Sequence, residues 1–97
     1  MQYSNIGKSN LSASRIALGL MRASAHGAEE MCALLETALE EGINFVDHAD
    51  IYAKKTPAEI IFGQVMDMAP HLRDKFIIQT KCGICRGYYD NSYEHII

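Results

Sequence analysis

Apolar and polar positions along the chain form blocks that predict an N-terminal hairpin followed by alternating strands and helices. Two short stretches, QYSNI and SASRIAL, flank the turn-rich GKSNLS, which predicts a hairpin within residues 1–17. Three apolar runs have the length and composition of buried strands: residues 15–21, 43–47 and 75–81. Gly19 interrupts the first run and predicts a bulge or a close backbone approach.

The first helix is predicted over residues 28–41, between the first two apolar runs. Its apolar positions recur at the spacing of one helical face: Met31, Leu34, Leu35, Ala38 and Leu39. Gly42 follows directly and is a typical residue at which a helix stops.

The second helix is predicted to open at Thr56. Pro57 suits the first helical position, and Glu59 completes a capping box with Thr56. The apolar face of this helix comprises Ile61, Phe62, Val65 and Met68. The helix is expected to end before Pro70. Residues 82–97 show no clear period and predict a loop that can lead into a further helix.

The order hairpin, strand, helix, strand, helix, strand favours an α/β fold with a parallel sheet and right-handed crossovers. Ninety-seven residues bound the chain to a single domain at most. An apolar content of 48% with 22% charged residues excludes a disordered chain. The second apolar run lacks polar alternation, so we expect cover on both of its faces.

Charge and cysteine content restrict which binding partners and which cellular location are expected for the chain. The net charge is −3 and the nine Lys and Arg are scattered, so neither a nucleic acid nor a membrane surface is an expected partner. No apolar run reaches the ~20 residues of a membrane span, and the N-terminus lacks the features of a secretory signal. An odd number of cysteines without such a signal predicts reduced thiols and a cytoplasmic location: Cys32, Cys82 and Cys85.

Candidate chemistry lies where the second and third predicted strands end, at Asp47 and Lys81. Neighbouring strands lie ~4.8 Å apart, so these side chains can form an ion pair at one edge of the sheet. Tyr52 follows in the loop and could fold back over the pair. Because a close ammonium lowers the pKa of a phenol, Tyr52 would then donate a proton more readily to a carbonyl oxygen. The same residues at the same spacing would also be found if Asp47 and Lys81 were ordinary charged residues of loops and Tyr52 were a packing residue.

Four blocks together resemble the aldo-keto reductase family. GINFVDHADIY is similar to the family's motif of a short apolar strand leading to Asp, with Tyr five residues later. FIIQTKCG resembles the strand that ends in the family's lysine, and YSNIGKSNLSASRIALGLMR resembles its opening hairpin and first strand. TPAEIIFGQVM resembles the helix after the tyrosine. The resemblance implies a (β/α)₈ barrel, a nicotinamide cofactor (NADPH or NADH) and a small carbonyl compound as substrate.

Matched position by position, the resemblance implies that Asp47, Tyr52 and Lys81 are three members of a catalytic tetrad. Tyr52 would be the acid, Lys81 would tune it, and Asp47 would anchor Lys81. The resemblance also implies that Asp47, together with Met21 and Arg22 at the end of the first strand, contributes to cofactor binding.

His48 departs from the family pattern, in which Ser or Thr is common after the Asp. The residue is expected either at the rim of the substrate pocket, beside Tyr52, or as a hydrogen-bonded structural histidine. Ala53 stands where the family often has glycine.

Length is the larger departure, since a barrel of this kind needs ~250 residues. The chain is therefore expected to be a partial domain, 1–97, that holds the hairpin, three of eight strands and two helices. The fourth tetrad residue, a histidine, and the phosphate-binding loops are expected beyond residue 97. We expect the chain alone neither to bind the cofactor tightly nor to turn over.

Two other functions remain open. Exposed sheet edges could give the chain a structural role with self-association through those edges. Cys82 and Cys85 form a CxxC that could belong to a redox or metal module. No second pair completes a four-thiolate site, and His48 and Asp50 could add ligands only if the loops converge, so no metal is expected.

Overall fold

A computed structural model describes residues 1–53 and 56–97 of the chain. Short 3₁₀ segments lie at Ala23–Ala25 and Pro70–Lys75. The strands and α-helices follow in this order: β1 Tyr3–Asn5, β2 Ser12–Ser14, β3 Leu18–Gly19, α1 Ala28–Glu40, β4 Phe45–Asp47, α2 Ala58–Met68, β5 Ile77–Gln79, β6 Ile84–Cys85, β7 Tyr88–Tyr89 and α3 Tyr93–Ile96.

A parallel three-stranded sheet with the order β3-β4-β5 positions the candidate site. Asp47, the last residue of β4, pairs with Gly19 on one side and Gln79 on the other. The His48 N–H continues the ladder to the Gln79 carbonyl at 2.8 Å, and the Leu20 N–H bonds the Asp47 carbonyl at 3.0 Å. The carboxyl ends of the three strands thus lie side by side, and we call this border the carboxyl edge of the sheet. The predicted parallel sheet is confirmed.

One hydrophobic core lies between the sheet and the two long helices. It is built from Leu20, Met31, Leu35, Val46, Ile61, Phe62, Val65, Ala69, Leu72 and Phe76. Along β4, Val46 is buried while Phe45 and Asp47 on the other face are half-buried. The two helices contribute to the core on the Val46 side, and the cover expected on the other face stays a prediction for the finished fold.

Helix α1 ends one residue before its predicted limit in a Schellman motif. The Ile43 N–H bonds the Ala38 carbonyl at 2.8 Å and the Gly42 N–H bonds the Leu39 carbonyl at 3.0 Å. Gly42 adopts a φ of 84°, a left-handed conformation that glycine takes without steric cost. The predicted apolar face is correct except for Leu34, which is 39% exposed.

Helix α2 begins at Ala58, with Pro57 at the N-cap and no side-chain cap. The predicted capping box is wrong, because the Glu59 carboxylate accepts a hydrogen bond from the Thr80 hydroxyl at the end of β5 instead. The helix ends before Pro70 as predicted, at Met68. Met68 itself is 55% exposed, so it does not belong to the buried face.

The strands are shorter than their apolar runs. In the first run only Leu18 and Gly19 pair as a strand, and a Cβ at Gly19 would meet nothing within 4 Å, so the predicted close approach is wrong. The third run pairs only over Ile77–Gln79. The tail, predicted as a loop, forms the β6–β7 hairpin and the short helix α3.

The predicted N-terminal hairpin is confirmed as β1 and β2. It is tied to the residue that precedes β4, because Asn44 Oδ1 accepts from the Ser14 N–H at 2.7 Å. The Tyr3 hydroxyl also donates to the Gly42 carbonyl at 2.7 Å. The hairpin therefore lies at the amino end of β4, opposite the edge that Asp47 marks. Among the described residues, no helix has the length and hydropathy needed to span a bilayer.

Candidate active site

The predicted ion pair is present at the carboxyl edge of the sheet. Lys81 lies two residues after β5, and its Nζ donates to Asp47 Oδ1 at 2.7 Å. The same ammonium donates to the His48 carbonyl at 2.8 Å. These two acceptors belong to consecutive residues at the end of β4, so they define where the ammonium lies.

Gln79 is a site residue that the sequence analysis missed. Its Nε2 donates to Asp47 Oδ1 at 2.7 Å, beside the Lys81 bond. The hydrogen bond from Lys81 and then that from Gln79 lower the pKa of Asp47 below its ordinary value. The signal for Gln79 was its position two residues before Lys81, since alternate strand residues share a face.

Tyr52 is held beside the ion pair by the loop that leaves β4. Its N–H bonds the Ala49 carbonyl at 3.1 Å, and its carbonyl accepts from the Ala58 N–H at the start of α2 at 3.0 Å. The Lys81 Nζ lies over the Tyr52 ring, 5.1 Å from its centroid, within cation–π distance. The hydrogen bond to Asp47 first, and then the contact with Tyr52, raise the pKa of Lys81.

His48 points away from this edge. Its ring is 2% exposed and packs edge-on against Phe62 of α2, with the centroids 4.6 Å apart. Neither ring nitrogen has a hydrogen-bond partner within residues 1–53 and 56–97, so the expected hydrogen-bonded histidine is not found. The ring does not line the cavity beside Tyr52, and the substrate contact predicted for His48 stays a prediction. Burial lowers the pKa of this imidazole.

Met21 and Arg22 follow β3 at the same edge. The hydrogen bond between the Leu20 N–H and the Asp47 carbonyl brings the chain before Met21 next to β4. Both side chains are exposed, and Arg22 precedes the 3₁₀ segment that begins at Ala23. Their predicted cofactor contacts stay predictions.

A small cavity of about 160 Å³ adjoins Tyr52 and Lys81. Its remaining walls come from the loops after β4 and β5, with Ile51 and Ile84 as the large apolar contributors. In the described part of the chain, no three His, Cys, Asp or Glu side chains gather closely enough to bind a metal ion.

The sequence profile of the Aldo/keto reductase family matches residues 15–97. The chain belongs to the aldo/keto reductase family. It is 37% identical over 78 residues to the oxidoreductase YdhF of Escherichia coli K12, a match that covers 72% of the chain and 26% of YdhF. It is 35% identical over 102 residues to a 6-dehydroglucose reductase of Novosphingobium aromaticivorans, covering 97% of the chain and 34% of that protein.

Solved structures of aldo-keto reductases share the fold of this family member. The crystal structure of PA4992, a putative aldo-keto reductase described as from Pseudomona aeruginosa, matches with a TM-score of 0.77 and 25% identity. The match covers 96% of this chain and 37% of PA4992. The chain thus spans between 26% and 37% of the length of the proteins named here. Its α/β fold fits part of a TIM barrel, and its relatives support an oxidoreductase function.

Proposed function

We propose that this chain carries the proton-donating part of an NAD(P)H-dependent reductase that converts aldehydes or ketones to alcohols. Tyr52 is the proton donor, Lys81 adjusts its acidity, and Asp47 holds Lys81. The observation that carries the proposal is the Lys81 ammonium, which is bonded to Asp47 at 2.7 Å and faces the Tyr52 ring.

The contacts of Lys81 support its role as a positive charge beside a phenol. Asp47 and the His48 carbonyl take two of its three N–H groups, which restricts the directions in which the ammonium can move. Its raised pKa keeps it charged through neutral pH. A fixed ammonium stabilises a developing phenolate and so makes Tyr52 a stronger general acid.

The surroundings of Tyr52 support a carbonyl substrate. Backbone hydrogen bonds to Ala49 and Ala58 hold the tyrosine on both sides. Complete small-molecule sites usually measure ~300–1,000 Å³, so a cavity of about 160 Å³ would accept the reacting end of a substrate. Apolar walls at Ile51 and Ile84 suit the carbon substituents of an aldehyde or ketone.

The donor set at the sheet edge fits the nicotinamide end of a dinucleotide cofactor. Arg22 supplies hydrogen-bond donors and Asp47 a carboxylate acceptor, both at the carboxyl ends of parallel strands, where α/β sheets bind ligands. Asp47, Met21 and Arg22 would hold this end of NADPH or NADH. When bound, the cofactor supplies the hydride that reduces the carbonyl carbon.

The active protein is, in this proposal, a complete (β/α)₈ barrel in the cytoplasm, of which this chain supplies the N-terminal hairpin, three strands and two helices. The chain alone then lacks the other cofactor contacts and neither binds NADPH tightly nor turns over. Titration of NADPH into the chain, followed by fluorescence, checks this part. Low-micromolar binding would contradict it.

The isolated chain is further proposed to self-associate. β3 and β5 are the edges of the parallel sheet, and unpaired strand edges invite pairing with another chain. Light scattering at rising protein concentration should report species larger than a monomer. A monomer across the whole concentration range would exclude this association.

The reaction is tested in a chimera in which residues 1–97 replace the matching segment of PA4992. The chimera should oxidise NADPH in the presence of an aldehyde. Tyr52→Phe should lower kcat by about 100-fold or more, with little change in KM, because only proton transfer is lost. Tyr89→Phe is the matched control, since Tyr89 is 80% exposed in the tail hairpin.

Unchanged kcat in the Tyr52→Phe chimera would refute the mechanism. Lys81→Met provides an independent readout, because removing the ammonium should shift the alkaline limb of the kcat profile to higher pH. A profile identical to that of the unmodified chimera would exclude Lys81 as the residue that tunes Tyr52.

A further inference from the structure

A thiol and an imidazole that the proposed reaction does not use meet in the tail of the chain. Cys85 Sγ lies 3.7 Å from His95 Nε2, within hydrogen-bond distance for sulfur. Cys85 is half-buried in β6, whereas His95 is exposed on α3. The two residues are ten positions apart in the sequence, and their contact joins β6 to α3.

Local hydrogen bonds build this pairing. The β6–β7 hairpin places Cys85 opposite Tyr88. Asp90 Oδ1 then accepts from the Ser92 N–H at 2.9 Å, and Ser92 Oγ accepts from the His95 N–H at 3.3 Å, which caps α3. The capped helix therefore brings the imidazole of His95 to the sulfur.

Both side chains open onto a cavity of about 630 Å³ between the tail and the loop after β4. This volume lies in the range of small-molecule sites. Arg86 contributes a positive charge to the wall and Asp50 a negative one. Asp50, Ile51 and Ile84 also line the small cavity beside Tyr52, so the two cavities are neighbours.

Thiols react with disulfides as thiolates, and a neighbouring base promotes the reaction by accepting the proton. We infer that Cys85 and His95 form a thiol–disulfide exchange site for a low-molecular-weight disulfide. His95 accepts the Cys85 proton, and the thiolate attacks one sulfur of the disulfide. A new S–S bond to Cys85 forms as the old one breaks, and the departing thiolate takes the proton back from the imidazolium.

The neighbouring groups fit a thiolate at this position. Cys85 raises the pKa of Tyr88, first through the coulombic interaction between the two groups and then through a hydrogen bond. Tyr88 pairs with Cys85 across the β6–β7 hairpin, and its hydroxyl group can act as a hydrogen-bond donor there. Arg86, the next residue along the chain, adds a positive charge to the same cavity.

Cys82 provides a sharp internal comparison, because it is exposed whereas Cys85 is half-buried. If solvent exposure of the sulfur alone set the rate, Cys82 would react faster with a disulfide than Cys85. The proposed site predicts the opposite order. The comparison needs one chain that keeps Cys85 as its only cysteine and another that keeps only Cys82, with the remaining cysteines replaced by Ser.

The experiment incubates both chains with oxidised glutathione and follows the mixed disulfide by intact mass. The Cys85 chain should react several times faster than the Cys82 chain. His95→Gln should slow the Cys85 chain roughly tenfold, the effect of losing one hydrogen bond to a charged group. His26→Gln is the matched control, because His26 pairs with Glu30 on α1 and lies outside the cavity wall.

Equal or faster reaction of Cys82 would overturn the proposal, as would an unchanged rate of the Cys85 chain after His95→Gln. Unfolding provides a second measurement that does not depend on the His95 variant. In concentrated guanidinium the two single-cysteine chains should react at similar rates, because the imidazole no longer meets the sulfur. A rate difference that persists in the unfolded chains would assign it to local sequence and refute the folded site.

Discussion

His48 should make the stability of the folded chain depend on pH. Its imidazole is 2% exposed against Phe62, and burial is the largest cause that lowers its pKa from 6.5. The charges of Glu59 and Asp47 act in the opposite direction, and that of Lys81 acts with burial. The folded chain therefore holds the neutral imidazole, and the unfolded chain binds the proton more readily.

The sign and size of the effect follow from this difference. Above the unfolded pKa of 6.5 both states are neutral at His48, so its contribution to stability is fully present. Below that value the unfolded state gains a proton that the folded state resists. One such proton changes the free energy of unfolding by about 1.4 kcal/mol per pH unit. The loss begins as the pH falls through 6.5 and stops growing once the folded imidazole is protonated as well.

Urea unfolding at a series of pH values measures this loss in three chains. His48→Leu removes the titrating group and keeps an apolar side chain in the core. Its stability should therefore fall less than that of the wild type below pH 6.5, by at most about 1.4 kcal/mol for each pH unit. His71→Gln is the control, because His71 is exposed in the 3₁₀ segment after α2 and its removal should leave the wild-type profile. Parallel profiles for the wild type and His48→Leu would show that His48 does not cause the pH dependence.

Four further substitutions have expected outcomes. Asp47→Asn should lower the pKa of Lys81, because it weakens the hydrogen bond that contributes most to raising that pKa. NMR titration of the Lys81 Cε measures the change, and an unchanged pKa would show that another group raises it. Gly42→Ala should destabilise the folded chain by at least ~1 kcal/mol, since the φ of 84° at this position is costly for alanine. Gly63 lies inside α2 with open space where a Cβ would be, so Gly63→Ala should stabilise the folded chain by ~0.5–1 kcal/mol. Leu35→Ala should cost ~2–5 kcal/mol in urea unfolding, and a loss below 1 kcal/mol would contradict its place in the core.

Local patterns predicted the elements whose physics is local. The period of α1 and the glycine that ends it are properties of consecutive residues, and both predictions hold within a residue. The ion pair between Asp47 and Lys81 also followed, because parallel strands end at one edge and both residues lie at such ends. The four blocks that resemble the aldo-keto reductases were together sufficient to identify the family.

Predictions failed for a side chain with two available partners, for strands too short to show a pattern, and for residues at the margins of helical faces. Glu59 is placed correctly for a capping box, yet its carboxylate accepts a hydrogen bond from Thr80, the residue after β5 and a partner 21 residues away. The tail hairpin was missed because its strands are two residues each, too short for an alternating pattern. Leu34 and Met68 have the right spacing and lie at the margins of their helical faces, beyond the reach of the core.

Periodicity and motif spacing act along the chain, so they predict the order of the elements from β1 to β5, the family and the three residues of the proposed mechanism. Only the tertiary structure decided that Gln79 shares Asp47 with Lys81, that His48 turns into the core, and that Cys85 meets His95. These contacts depend on the register between neighbouring strands and on the side of the sheet toward which each loop turns. Both are set by the packing of distant segments, which no local pattern records.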